Sequence, residues 1–214
     1  MRTLKTFAAC VAVMILEALA FNAIAQTPFI SGLEGGFAFT AAQCGSAGKT
    51  LTFSSYGKAF KVLTFYYGNS AVTAVEDASG KRTVLFIDGK PNMTTSSGKT
   101  YPKIGFNGGN ELKTNEYVVG PHDFTDDGEM ELVVGVRSAS GNGTAIYVFG
   151  LTAGGWKCLG EMVSSGREIR FSKVFRQTVT MKDAASGVLF TWTWHSSHFD
   201  FLSSDHKDNP DLLY

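Results

Sequence analysis

Short runs of β-branched and aromatic residues, each closed within ~8 to 12 positions by a cluster of turn formers, recur along most of the chain and constrain its fold more than any other feature. Residues 51–53, 59–67, 71–75 and 83–87 are rich in Val, Phe, Tyr and Thr, which suit a pleated, half-buried surface. Gly68-Asn69, Ser79-Gly80 and Asp88-Gly89 separate them as turn signals. The pattern continues through 104–106, closed by Asn107-Gly108-Gly109-Asn110, and through 116–119, 132–136, 144–149 and 155–161. Ser140-Gly141-Asn142-Gly143 and Thr152-Ala153-Gly154 join the last three as hairpins. The final third adds 168–171, 178–181 and 188–194, where Phe190, Trp192 and Trp194 share one face at period two and read as core. Beyond the first 25 residues no segment holds a 3.6-residue apolar repeat over three turns. With 24 glycines in 214 residues, the class is all-β: antiparallel sheets of consecutive hairpins, blade-like or sandwich, with few short helices.

Residues 1–25 read as a secretory signal peptide. Arg2 and Lys5 precede a short apolar stretch, 7–16, and Ala23-Ile24-Ala25 supplies small residues at a cleavage site before Gln26. Glu17 and Asn22 interrupt the apolar run, and no later stretch approaches the ~20 residues of a membrane span. Cys10 lies at the start of that run rather than after it, which disfavours lipidation. The expected mature protein is secreted or periplasmic: one all-β domain over 26–202 and a polar, flexible tail over 203–214 containing Pro210. The leader carries Arg2, Lys5 and Glu17, so 17 of 19 basic and 18 of 19 acidic residues remain. Such a balance, without a Lys/Arg cluster, excludes nucleic acid as the expected partner, because phosphate binding needs a basic face.

Cys44 and Cys158 remain after export, in a compartment that permits a disulfide. Paired, they would close a loop of more than 100 residues and stabilise the fold by roughly 4 to 5 kcal/mol in the chain-entropy model. Unpaired, they are two buried thiols. Spacing alone leaves both readings open.

The densest chemistry lies in Asp123-Phe-Thr-Asp-Asp-Gly-Glu-Met-Glu131, directly before an apolar run. Counted from Asp123, oxygen-bearing side chains fall at positions 1, 3, 5, 7 and 9, namely Asp123, Thr125, Asp127, Glu129 and Glu131, with Gly128 at position 6. Alternating oxygens around a glycine are how a short loop wraps Ca²⁺, which makes these five the candidate ligands. Position 12 is Val134, within an expected strand, so the loop is not an EF-hand. The alternative needs no metal: Asp123, Asp126 and Asp127 accept N–H bonds in an Asx-type turn.

The segment Asp123-Phe124, Asp127-Gly128, Glu131-Leu-Val-Val-Gly135, followed by Ile146-Tyr-Val-Phe149 and Trp156-Lys157, resembles the FG-GAP and VCBS repeats of integrin-type β-propellers and exported bacterial proteins. The resemblance covers one partial copy, residues 120–162. It implies a blade-like antiparallel sheet and, in many members, a structural Ca²⁺. Thr125 stands where these loops carry Asp or Asn, and Glu131 where they carry Asp. With one clear copy, an incomplete propeller or a blade-like unit inside a sandwich fits better than a full ring.

His195, His198 and Asp200 lie within six residues and could ligate Zn²⁺ or serve as an acid/base pair; the plainer reading is a solvated turn or an aromatic-packed edge. No Gly-x-Ser-x-Gly elbow occurs. Aromatics make up 13% of the chain, and Tyr66, Tyr67, Trp156, Trp192 and Trp194 are read as core before they are read as recognition platforms. The expected function is a non-enzymatic exported scaffold that recognises a protein or glycan. The alternatives are a periplasmic inhibitor or immunity protein, and a metal-dependent hydrolase using His195, His198 and Asp200.

Overall fold

A computed structural model describes residues 29–40, 43–44, 50–67, 70–88, 90–93, 116–137, 144–164, 168–182, 189–195 and 198–203. Its elements are strands. The chain opens with β1 (Ile30–Ser31) and β2 (Phe37–Thr40), then forms a meander of β3 (Leu51–Ser55), β4 (Lys58–Tyr67), β5 (Ser70–Asp77), β6 (Arg82–Ile87) and β7 (Lys90–Pro91). A second meander follows: β8 (Glu116–His122), β9 (Glu131–Arg137), β10 (Thr144–Thr152) and β11 (Gly155–Ser164). The third is β12 (Glu168–Phe171), β13 (Thr178–Lys182), β14 (Leu189–His195) and β15 (His198–Ser203). Three five-stranded sheets result, ordered β3-β4-β5-β6-β7, β11-β10-β9-β8-β2 and β1-β12-β13-β14-β15. All pairings are antiparallel except β1 with β12, and none of the three sheets closes into a barrel.

The middle sheet is apolar on both faces, and that decides the stacking. Period-two alternation sends Tyr117, Val119, Leu132, Val134, Tyr147, Phe149 and Cys158 into one core with Phe53, Phe60, Val62, Leu85 and Phe86 of the first meander. The intervening positions Val118, Val133, Ile146 and Val148 enter a second core with Ile169, Phe171, Val179, Met181 and Trp194 of the third. Leu132, Val133, Val134, Ile146, Val148 and Phe149 are wholly buried, and each such side chain contributes about 1.5–3 kcal/mol of transfer free energy. Trp156 closes the end of the first core edge-on to Phe60 and Phe53, at 5.0 and 6.0 Å between ring centroids.

The N-terminal segment staples two sheets together. β1 pairs with β12 in register Ile30↔Ile169, while β2 pairs with β8 in register Phe37↔Val119. Gly32 (φ +85°) and Gly36 (φ +127°) make the crossing, in left-handed backbone where a Cβ would also run into the carbonyl oxygens of Phe171 and Val119. A cavity of about 220 Å³ lies along this crossing, lined by Ile30, Leu33, Phe37, Val118 and glycine backbone.

The all-β expectation holds, and the strands expected over 51–87, 116–161 and 168–194 are present. Trp194 is core and Trp192 packs against it. Of the turn and the edge read for the His- and Ser-rich stretch, residues 198–203 take the edge, as strand β15. Of the two readings left open for the cysteines, the disulfide is the one corrected: Cys44 and Cys158 are both buried and no S–S bond joins them. The Sγ of Cys44 faces the carbonyls of Phe65 and Val72 in the first meander, at 3.3 and 3.8 Å, whereas that of Cys158 faces Gly160 on its own strand at 3.5 Å. They enter one core, Cys44 from the turn at 43–44 and Cys158 from β11, and burial holds the Cys158 thiol up at about 12. The expected leader, the 104–106 strand and the tail beyond Ser203 lie outside the described residues.

Candidate functional site

β8 and β9 are joined at His122↔Glu131, and the loop between them is built by its own carboxylates. Asp123 is 3% exposed; its Oδ1 accepts the N–H of Asp127 and its Oδ2 that of Gly128, both at 3.1 Å. Glu131 is 4% exposed; its Oε2 accepts the N–H of Phe124 (2.7 Å) and Thr125 (3.1 Å), and its Oε1 the Thr125 hydroxyl (3.2 Å). Asp127 Oδ1 accepts the Glu129 N–H at 2.9 Å, the Asx pattern two residues on. Asp126 (φ +58°) and Gly128 (φ +87°) take left-handed backbone, which Asp tolerates and Gly adopts freely. While the carboxylates hold the rim, Phe124 is wholly buried in the second core, edge-on to Phe171 and Trp194 at 5.8 and 5.7 Å.

Burial pushes the Glu131 carboxyl up to about 7, against the pull of its donors and with the Asp127 charge adding to the rise. His122, 1% exposed, has its pKa lowered, chiefly by burial. Its Nε2 lies 2.9 Å from the Arg176 carbonyl oxygen, which can only accept, so Nε2 carries the proton.

Side chains from the other two sheets complete the loop. Tyr56, at the β3–β4 turn, donates its hydroxyl to Asp127 Oδ2 (3.1 Å) and its N–H to the Glu129 carboxylate. From the β12–β13 turn, Gln177 Nε2 donates to the Thr125 carbonyl (2.9 Å), and Arg176 Nη1 bridges Asp123 Oδ2 (3.1 Å) and Glu34 Oε1 (2.8 Å). One loop from each sheet therefore meets at a single rim.

The five sequence-derived ligands, Asp123, Thr125, Asp127, Glu129 and Glu131, do lie together on this loop. The carboxylate oxygens accept from N–H and hydroxyl donors, the Thr125 hydroxyl among those donors, and among the described residues no group of three or more His, Cys, Asp or Glu is arranged to hold a metal ion. The β14–β15 register sets His195 opposite His198 and Thr193 opposite Asp200; the side chains of His195, His198 and Asp200 lie outside the described residues. Tyr56, Glu34, Arg176 and Gln177 escaped the reading of the sequence because they reach the loop from 50 or more residues away.

Four large apolar or aromatic side chains stand exposed among the described residues, and three belong to this rim: Tyr56 (52%), Val174 (69%) and Phe175 (46%), the fourth being Tyr66. None of the three sits on slack chain. The Ser172 Oγ accepts the N–H groups of Val174 and Phe175 at 3.3 and 2.9 Å, and the Phe175 carbonyl accepts the Thr178 N–H at 2.7 Å. Comparison with known protein families, with characterised proteins and with solved structures finds no match.

Proposed function

We propose that this protein is an exported, non-enzymatic β-scaffold whose rim of three loops recognises a partner. One observation carries the reading: loops from the two outer sheets are tied by hydrogen bonds to one acidic loop of the middle sheet, and the large apolar or aromatic side chains exposed on those loops are Tyr56, Val174 and Phe175. Large aromatic and apolar groups held rigidly at a surface lose little entropy on binding, which is why they act as anchors at interfaces. The acidic loop then serves as architecture. An Asp-rich loop between two strands of a four-stranded meander supports the FG-GAP/VCBS-like reading of 120–162. A structural Ca²⁺ belongs to that reading if the carboxylates exchange their N–H partners for the ion. The test is capture of the purified protein on surfaces coated with envelope fractions or glycans of its native source, wild type against Val174→Ser/Phe175→Ser. Loss of capture in the double variant with an unchanged circular dichroism spectrum supports the rim; equal capture removes it.

A metal-dependent hydrolase is the second reading, favoured by a register that brings the His195, His198 and Asp200 positions together across one hairpin. Metal analysis of the purified protein decides it: stoichiometric zinc lost in His195→Ala supports the hydrolase, and zinc-free protein removes it. An inhibitor or immunity role would use the same rim and differs only in blocking its partner's activity.

A further inference from the structure

We infer that the partner of this rim is a cationic polypeptide segment that presents an apolar side chain between Lys or Arg residues; the inference rests on the rim being a binding surface. The apolar side chains flank the acidic loop, Tyr56 from the β3–β4 turn and Val174 and Phe175 from the β12–β13 turn, exposed and fixed by the turn hydrogen bonds described above. Charge selects the occupant. Asp123 and Glu131 are buried and Glu34 is paired with Arg176, so the charges turned toward solvent are Asp126, Asp127 and Glu129 against Lys58 and Lys173. Arg176 is already committed to Glu34 and Asp123. Asp126 and Asp127 are exposed and Glu129 is half-buried; among the described residues none of the three has a cationic partner in an ion pair.

An anionic glycan or nucleic acid would meet like charge at this rim, and like-charge contact is what excludes a wrong partner. A basic segment finds carboxylates beside aromatic faces. The Tyr56 ring is positioned by its hydroxyl bond to Asp127, so a guanidinium stacked on it also lies near that carboxylate. Val174 and Phe175 offer the contact for the segment's apolar side chain. Lys58 and Lys173 flank the apolar residues in sequence and limit how many cations the segment can place there.

The full chain is titrated with three short fluorescent peptides: one alternating Arg or Lys with Leu and Phe, one with Glu in place of every base, and one with Ser in place of every apolar residue. The expected result is saturable binding of the first peptide, weakened by salt, with both others at least about tenfold weaker. Val174→Ser/Phe175→Ser and the triple Asp126→Asn/Asp127→Asn/Glu129→Gln should each lose about tenfold, while Tyr66→Ser, an exposed aromatic outside the rim, should bind as wild type. Circular dichroism and melting temperature confirm that each variant is folded. Equal binding of the Glu peptide, unchanged binding by the rim variants, or an equal loss in Tyr66→Ser overturns the inference. If the cationic peptide fails but capture on native envelope or glycan still depends on Val174 and Phe175, the partner class is wrong and the rim stands. If neither depends on the rim, both readings fall.

Discussion

Two carboxylate-built turns, at Asp77 and at Asp123 to Glu131, use the same chemistry with opposite consequences. At the β5–β6 turn Asp77 accepts the N–H of Ser79 (2.9 Å) and of Lys81 (3.0 Å) and the Ser79 hydroxyl (2.6 Å), all within four residues and in water. These bonds hold its carboxyl below the ordinary range, the Ser79 hydroxyl contributing most. The β8–β9 loop makes equivalent bonds but sinks Asp123 and Glu131 beneath side chains from two other sheets, and there burial outweighs the donors at Glu131. A carboxylate that caps a turn in water is favoured as an anion. The same capping under a roof of protein is favoured as an acid.

The sharpest way to break this contrast is to delete each carboxylate. Glu131→Ala leaves two buried N–H groups and a hydroxyl without acceptors and should destabilise by roughly 3 kcal/mol, against a clearly smaller loss for Asp77→Ala, both read by urea denaturation. Equal losses would mean that burial adds nothing.

Changing pH should separate the two by sign. Glu131 is raised when folded, so its contribution is fully present below about 4.5 and is lost as pH rises through about 7, a change bounded at roughly 3 kcal/mol. Asp77 is lowered when folded, so its contribution is present above its ordinary value and disappears as pH falls toward the lower folded one. His122, depressed by burial, opposes Glu131: its contribution is present above its ordinary pKa and is lost as pH falls. The Glu131→Gln variant should flatten the decline between about pH 4.5 and 7, and Asp77→Asn only the fall below the ordinary Asp value. A Glu131→Gln profile parallel to wild type would contradict the assignment.

Arg176→Ala should come next, at about 1 to 3 kcal/mol, because it leaves buried Asp123 without its cation; at 35% side-chain exposure Arg176 itself is partly screened. At Asp77 the nearby cation, Lys81, is the smallest contributor to the lowered carboxyl, and Lys81→Ala should be nearly neutral. The smallest effects concern what the loops do without. With the carboxylates on N–H donors, Ca²⁺ and chelator should leave the melting temperature unmoved, and a rise with Ca²⁺ would return the ion to the loop. Reductant should likewise leave both melting temperature and intact mass unchanged, since Cys44 and Cys158 are free.

The same contrast explains what the sequence disclosed. The Asp77 turn closes on neighbours four residues away, and strands such as β4, β5, β9 and β10 advertise themselves through Val, Phe and Thr. The acidic loop was visible, Gly128 and the Asx bonds included, because those contacts are also local. Its roof was not: Tyr56 lies 71 residues from Asp127 and Arg176 lies 53 from Asp123. β1 and β2 escaped because two- and four-residue strands among glycines carry no period, and β15 because His and Ser at its start resemble a turn. The cysteines stayed open in the sequence because their count permits a pairing, whereas the fold sets Cys44 in a turn and Cys158 on β11 without joining them.

The pairing of Ile30 with Ile169 has a kinetic meaning. β1 has no sheet to join until β12 and the strands beside it have assembled, so this early strand is expected to be among the last to find its place. Contacts so distant along the chain make folding slow, since the loop must be closed before the contact is gained. The glycines at 32 and 36, which keep the segment close against Phe171 and Val119, thus guard the final step of assembly. A side chain there would show itself first as a slowed closing phase in refolding, with the meanders already formed.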